Sequence, residues 1–134
     1  MNLEKFTTDL IKIEFIEAVK AFGHFPFQLV AQDKDGKLAL NALALGDVRE
    51  CYSRFKYYQV NNYPVIFMSI DFPAGGDIEH DFVCVFSYQD NAYNAFAIPY
   101  NSENGEPYPV IKESDHLQKL FKEFTNGMVL LPAK

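Results

Sequence analysis

The spacing of apolar and polar residues along the chain predicts three helices and about five strands. Apolar residues three and four positions apart indicate helices, whereas alternation or a short apolar run between turn residues indicates strands. In chain order, the predicted elements are helix 3–22, strand 25–32, strand 37–45, helix 48–60, strand 65–72, strand 82–88, strand 92–98 and a helix that follows Ser114 and ends at Asn126-Gly127. Two strand pairs are separated only by turn residues, Asp33-Lys34-Asp35-Gly36 and Gln89-Asp90-Asn91, which favours β-hairpins. Because hairpins dominate, we expect an α+β domain of order α-β-β-α-β-β-β-α, with a mostly antiparallel sheet and helices packed on it.

Residues with known roles at the ends of elements support these bounds. Asn2 can cap the first helix and Gly23 can end it. Asp47 resembles a cap of the second helix, and Pro64 cannot continue that helix and opens the next strand. The apolar tail 128–131 predicts a short strand or an extended arm.

The apolar pattern of the first helix changes phase near its middle. At 100° per residue, one side of the helix carries Leu3, Phe6, Leu10 and Ile13, and nearly the opposite side carries Phe15, Ala18, Val19 and Phe22. We therefore expect that the helix bends near residues 12–14, or that its halves pack against different neighbours. One alternative is a long helix that crosses an edge of the core. The other is a homodimer in which the first half packs on a second copy of the chain.

Composition narrows the class of protein. The chain has 134 residues, of which 49% are hydrophobic and 22% charged, which is typical of a folded domain and not of a disordered chain. We expect one α+β domain over residues 1–134, since a chain of this length can form a single core. The formal net charge of −6 argues against nucleic-acid binding, because phosphates must be neutralised by Lys and Arg.

The sequence indicates a cytoplasmic protein. No segment is long and apolar enough to predict a membrane helix, and the first residues lack the pattern of a secretory signal. Cys51 and Cys84 are best interpreted as buried thiols, with a disulfide between them as the alternative.

The negative charge is concentrated in one stretch of the chain. No Lys or Arg occurs between Tyr57 and Ile111, whereas the same stretch contains the acidic residues Asp71, Asp77, Glu79, Asp81, Asp90, Glu103 and Glu106. The other residues contain 11 of the 18 acidic residues and all 12 basic ones, a balance of +1. The acidic stretch could simply keep the protein in solution, or it could form a surface that attracts a cationic partner.

The segment 71–81 has the most unusual local composition. Gly75-Gly76 permits a sharp turn, and an extended segment after it would place Asp77, Glu79 and Asp81 on one face. Such carboxylates are weak candidates for a Mg²⁺ or Ca²⁺ site. The spacing does not match a calcium loop, because neither the required Gly nor the bidentate Glu is in place.

His80 and Asp81 are weak candidates for acid–base catalysis. A carboxylate can orient an imidazole, but adjacent residues of a strand point to opposite faces. The chain lacks a G-x-S-x-G sequence, a Walker A loop, a dinucleotide-binding glycine pattern, H-E-x-x-H and paired C-x-x-C sequences. We therefore expect no cofactor.

The segment 99–109 is a loop by its Pro, Gly and Asn content, and it carries two tyrosines and two acidic residues without a basic one. Tyrosine is favoured at interfaces because it offers a large contact area at low entropic cost. Alternatively, Tyr100 and Tyr108 could fold back onto the sheet.

The leading hypothesis is a small binding protein that contacts a cationic protein partner through acidic, Tyr-bearing loops. The residues predicted to bind are Asp71, Asp77, Glu79, Asp81, Tyr100, Glu103, Glu106 and Tyr108. The first alternative is a hydrolase-like enzyme for a small substrate, with a cleft at the segment 71–81 and His80 as base. The second is a homodimeric structural or regulatory protein.

Overall fold

A five-stranded antiparallel sheet separates one helix from the other two. The structure, a computed structural model, describes residues 1–22, 27–43 and 48–127. The elements are α1 (Leu3–Phe22), β1 (Phe27–Gln32), β2 (Leu38–Leu43), α2 (Val48–Val60), β3 (Val65–Phe72), β4 (Phe82–Gln89), β5 (Ala92–Pro99) and α3 (Asp115–Gly127). The strand order is β2-β1-β3-β4-β5, and every neighbouring pair is antiparallel. The predicted α+β class and the order of its elements are confirmed.

The conformations and hydrogen bonds at the β1–β2 turn and at the helix caps are those predicted from the sequence. Gly36 has a φ of +85°, and the Asp33 side chain accepts hydrogen bonds from the N–H groups of Asp35 and Lys37. The oxygen Oδ1 of Asn2 accepts a hydrogen bond from the N–H of Lys5 (3.1 Å), so Asn2 caps α1 as predicted. Ser114 likewise caps α3 through its Oγ, which accepts from the N–H of Leu117 (3.1 Å). The roles predicted for Gly23, Asp47 and the tail 128–131 lie outside the described residues.

The sheet has an apolar core on each face. On one face, α2 and α3 pack against side chains that include Leu29, Ile66, Met68 and Phe86. On the other face, α1 packs against a second cluster that includes Val30, Phe67, Val85 and Ile98. Alternate residues of β3 and β4 belong to different cores. Both strands are therefore buried on both faces, which explains why they read as continuous apolar runs.

Among its described side chains the first helix buries one continuous stripe, so the expected change of phase is wrong for them; the side chains of Val19 and Phe22 lie outside the described residues. Leu3, Thr7, Ile11, Phe15 and Ala18 are all buried. Steps of four residues drift by about 40° each, which is small enough to stay on one side of the helix. A single stripe against one sheet face requires neither a bend nor two different neighbours.

The residues named for a homodimer through α1 have different environments. Leu3 is buried, and the ring of Phe6 lies edge-on against Phe67 at 5.6 Å, so both belong to the protein's own core. Leu10 is half-buried, whereas Ile13 is 75% exposed. Only the outer part of the predicted contact is accessible, and dimerisation through it stays a prediction.

Both cysteines are free and buried, as the leading interpretation predicted. Burial raises the pKa of the Cys84 thiol, which keeps it protonated. Within residues 1–22, 27–43 and 48–127, no helix combines the length and apolar character needed to cross a membrane.

Candidate functional site

The two loops that carry the predicted binding residues leave the sheet at the same end. Phe72, at the end of β3, pairs with Phe82, at the start of β4, and Phe82 in turn pairs with Pro99, at the end of β5. The segment 73–81 and the segment starting at Tyr100 therefore begin side by side, although they are separated along the chain. A backbone hydrogen bond from the N–H of Tyr100 to the carbonyl of Asp81 (2.9 Å) joins them.

The two loops border one depression with a volume of about 310 Å³. We refer to it as the acidic depression, and its lining residues are Ala74, Glu79, His80, Asp81, Tyr100, Asn101, Ser102, Glu103 and Tyr108. Three of these residues are acidic and none is Lys or Arg. Five of the eight predicted binding residues border it, namely Glu79, Asp81, Tyr100, Glu103 and Tyr108.

Tyr100 is the buried support of this site. Its hydroxyl donates a hydrogen bond of 2.5 Å to Oδ1 of Asp71, at the end of β3, and its ring packs edge-on against Phe15 of α1 at 5.1 Å. The side chain is only 4% exposed, so the prediction that it forms part of an exposed contact surface needs correction. Burial raises the pKa of Tyr100, and the carboxylates of Asp71 and Asp81 raise it further, so the hydroxyl remains a donor. Asp71 therefore acts as a support behind the depression.

Tyr108 provides the accessible aromatic surface. Its ring stacks on that of His80, with centroids 4.3 Å apart and planes inclined by 28°. Its N–H donates to the carbonyl of Pro99 (2.8 Å), which fixes the backbone beside β5. The sequence left open whether the two tyrosines fold back onto the sheet or are available for contact. Tyr100 folds back into the protein, whereas Tyr108 remains partly exposed.

The three carboxylates of the depression differ in how firmly they are held. Oδ1 of Asp81 accepts a hydrogen bond from the N–H of Ala74 (3.0 Å), which ties the two ends of the segment 73–81 together. Glu79 and Glu103 are exposed. Asp81 therefore shapes the loop and contributes charge, while the two glutamates can adjust to a ligand.

Asp77 belongs to a different structure, the N-terminus of α3. Its carboxylate accepts hydrogen bonds from the Ser114 hydroxyl (2.6 Å) and from the N–H groups of Asp115 (3.1 Å) and His116 (3.2 Å). The bond from Ser114 lowers the pKa of Asp77 most, and those from His116 and Asp115 lower it further. We predicted Asp77 as a binding residue, but its oxygens are occupied in capping a helix.

A tight turn directs Asp77 towards α3. Gly75 and Ile78 exchange backbone hydrogen bonds of 3.0 and 2.9 Å, and the Ile78 side chain is buried in the core beneath α3. Gly76 has a φ of +55°, and a Cβ there would lie 2.8 Å from the Cβ of His116. His116 is half-buried and packs edge-on against Phe82.

The loop after β5 is closed by its own backbone and rests on α1. Asn101 donates to the carbonyl of Glu106 (2.9 Å) and accepts from the N–H of Gly105 (2.7 Å). Gly105 has a φ of +75°, and a Cβ there would lie 2.6 Å from the ring of Phe15. Glu106 is exposed on this loop but does not border the acidic depression.

The arrangement does not bring together the metal candidates Asp77, Glu79 and Asp81. The segment turns at Gly75–Ile78 and is not extended, so Asp77 points to α3 while the other two border the depression. Over the described ranges, no group of three His, Cys, Asp or Glu residues could hold a metal ion. His80 and Asp81 share the depression, and no side-chain hydrogen bond joins them in the part of the chain that the structure describes.

A larger depression of about 540 Å³ lies at the opposite end of β5, between the start of α1 and α3. None of the eight predicted binding residues borders it. Lys112 in its lining pairs with Glu4 at 2.6 Å.

Sequence reasoning missed three lining residues, Ala74, Asn101 and Ser102. They have small or common polar side chains and carry no chemical signal by themselves. Their role follows only from the pairing of β3, β4 and β5, which places the two loops together.

Comparison of the chain with protein-family models, with curated proteins and with solved structures gave no match.

Proposed function

We propose that the protein binds a cationic protein partner through the acidic depression. The observation that carries this proposal is that Glu79, Asp81 and Glu103, from two separate loops, border one depression that has no Lys or Arg in its lining. Carboxylates of one sign close together attract a basic side chain and exclude acidic partners.

Aromatic groups in the same place suit a protein partner. The stacked pair of Tyr108 and His80 offers an exposed ring surface beside the carboxylates. An arginine side chain can stack on such a surface while its N–H groups donate to carboxylate oxygens. Arginine is therefore the basic side chain that this combination fits best.

The supports behind the depression favour binding because they hold its shape before a partner arrives. Tyr100 is fixed by Asp71 and Phe15, and the loop between Asn101 and Glu106 is closed by backbone hydrogen bonds. A site that is already ordered loses less conformational entropy when it binds.

The hydrolase alternative stays a prediction. His80 stacks on Tyr108, and within the described residues its ring donates no hydrogen bond to a carboxylate that would orient it. The geometry therefore gives no specific reason to prefer catalysis to binding at this site.

The test is calorimetric titration of the protein with an oligoarginine peptide at low ionic strength, with an oligoglutamate peptide as the probe of opposite charge. The test variant carries Glu79→Gln and Glu103→Gln, both at exposed positions of the depression. The matched control carries Glu17→Gln and Glu113→Gln, which are also exposed but lie elsewhere. Both variants change the net charge by the same amount.

We expect the test variant to bind oligoarginine about 3- to 10-fold more weakly than the parent, since two partly exposed ion pairs are lost. The control should bind nearly as well as the parent, and added salt should weaken binding of all three. Equal weakening in both variants would show a general charge effect and contradict the proposal.

A further inference from the structure

Within the described residues, the two edges of the sheet are covered differently. At β5, Ala97 and Ile111 exchange backbone hydrogen bonds of 2.8 and 2.9 Å, and Tyr108 donates to Pro99. At β2, nothing in residues 1–22, 27–43 or 48–127 pairs with the outer side of the strand. An uncovered edge presents backbone N–H and C=O groups that another strand can bind.

The register of the hairpin identifies which groups face outward. The N–H of Asp33 donates to the carbonyl of Lys37 (2.9 Å), and in an antiparallel pair the bonded positions alternate. Ala39, Asn41 and Leu43 are therefore the β2 residues that bond to β1. The backbone N–H and C=O groups of Leu38, Leu40 and Ala42 point away from the sheet.

The side chains of this edge are apolar and exposed. Leu40 pairs with Val30, which faces α1, so Leu38 and Leu40 lie on the same face as that helix. Leu40 is 65% exposed and Leu38 is 38% exposed, so α1 leaves this part of the sheet uncovered. Natural proteins often protect an open edge strand with charged residues or proline. The strand β2, of sequence LALNAL, contains neither.

We propose that β2 pairs with β2 of a second copy of the chain, antiparallel about a two-fold axis, so that two sheets join into one. In the register centred on Leu40, that residue lies opposite the partner's Leu40, and about six backbone hydrogen bonds form. A two-fold axis places identical residues near each other, so a strand with charges would repel itself. The uncharged β2 avoids this repulsion.

The distribution of charge favours the same arrangement. Five of the seven acidic residues between Tyr57 and Ile111 lie in the loops after β3 and β5, and β2 carries no acidic residue. The strands β2 and β5 are at opposite edges of the sheet, about 19 Å apart at 4.8 Å per strand. Pairing through β2 therefore keeps the two acidic depressions far from each other.

The surface area that two copies could bury between them sets the expected affinity of the dimer. A strand of six residues is about 20 Å long, and the edge of a three-layer protein is about 20 Å high, which gives about 400 Å² per copy. The total of about 800 Å², somewhat more after allowance for surface relief, is at the low end for a specific interface. We therefore expect a reversible dimer with a dissociation constant of about 1–100 μM.

The test is sedimentation velocity over about 1–300 μM, a range that brackets this dissociation constant. The mass should rise with concentration from 15.3 kDa towards twice that value. Leu40→Lys places two like charges opposite each other and should raise the dissociation constant at least about tenfold. The control is Tyr57→Lys, at an exposed position on α2, which should leave the dimer unchanged.

A second measurement needs no variant. Amide hydrogen exchange of Leu38 and Leu40 should slow as the protein concentration rises, because these are the groups that the second copy would bind. A protein that stays monomeric throughout the range overturns the proposal. So does a dimer that Ile13→Lys dissociates and Leu40→Lys does not, since it would form through α1. Oligoarginine binding tests a different surface, so neither result decides the other.

Discussion

Replacing Tyr100 by phenylalanine tests whether the buried tyrosine holds the acidic depression in place. The substitution removes only the hydroxyl that donates to Asp71 over 2.5 Å, and the ring that packs on Phe15 remains. Any loss of stability therefore reports on the hydrogen bond and not on a cavity.

The magnitude follows from the kind of bond and the size of the protein. A hydrogen bond to a charged group contributes about 1.5–3 kcal/mol, and Tyr100 is buried, so water cannot readily replace it. At about 2.1 cal/mol/K per residue, the entropy of unfolding of this chain is about 0.28 kcal/mol/K. A loss of about 2 kcal/mol should therefore lower the Tm by about 7 °C.

The assay is urea unfolding and calorimetry of the parent, Tyr100→Phe, Asp71→Asn and the double variant. The coupling free energy between the two positions should be about 1–2 kcal/mol. Tyr57→Phe is the matched control, because Tyr57 is exposed, and it should change stability by less than about 0.5 kcal/mol. A Tm within about 1 °C of the parent, or independent effects of the two substitutions, would show that the bond between Tyr100 and Asp71 does not stabilise the fold.

Three further predictions concern the same end of the sheet. In urea unfolding, Gly76→Ala should destabilise the protein by about 1–3 kcal/mol, and by more than Gly36→Ala does. Both glycines have a positive φ, but only a Cβ at position 76 would meet a close neighbour, the Cβ of His116. Equal losses of stability would show that this contact is unimportant. The pKa of Asp77 is lowered in the folded state, so its contribution to stability is present above about pH 4 and is lost on acidification. Asp77→Asn should therefore make the free energy of unfolding fall less steeply as the pH is lowered. An unchanged dependence on pH would contradict the assignment of Asp77 as a cap of α3. The pKa of Tyr100 is raised, so its contribution is complete below about pH 10 and is lost above it. Tyr100→Phe should reduce the alkaline loss of stability, and a slope equal to that of the parent would count against this assignment.

Most of the fold could be predicted because its signals are local. The bounds of α2 and β3 agree with the prediction, and the hairpin at Gly36 and the cap at Ser114 follow from the preferences of single residues. The phase of α1 could not be predicted in the same way. Ile13 and Ile16 are apolar but exposed, so they obscured the stripe that runs through Ile11.

The candidate site was predictable only in part. The excess of acidic residues between Tyr57 and Ile111 is visible in the sequence and indicated the two loops that border the acidic depression. The pairing of those loops depends on the order of β3, β4 and β5, which the sequence does not state. The bond between Asp77 and Ser114 joins residues 37 positions apart, so no local pattern could separate Asp77 from Glu79.

Binding of a cationic partner in the acidic depression can be tested by chemical-shift mapping of the ¹⁵N-labelled protein during titration with oligoarginine. We expect the largest amide shifts at residues 79–81, 100–103 and 108, and we expect salt to weaken the binding measured from their saturation curve. Shifts that are largest at the acidic residues of the β1–β2 hairpin, or that are spread evenly over all acidic residues, would contradict it.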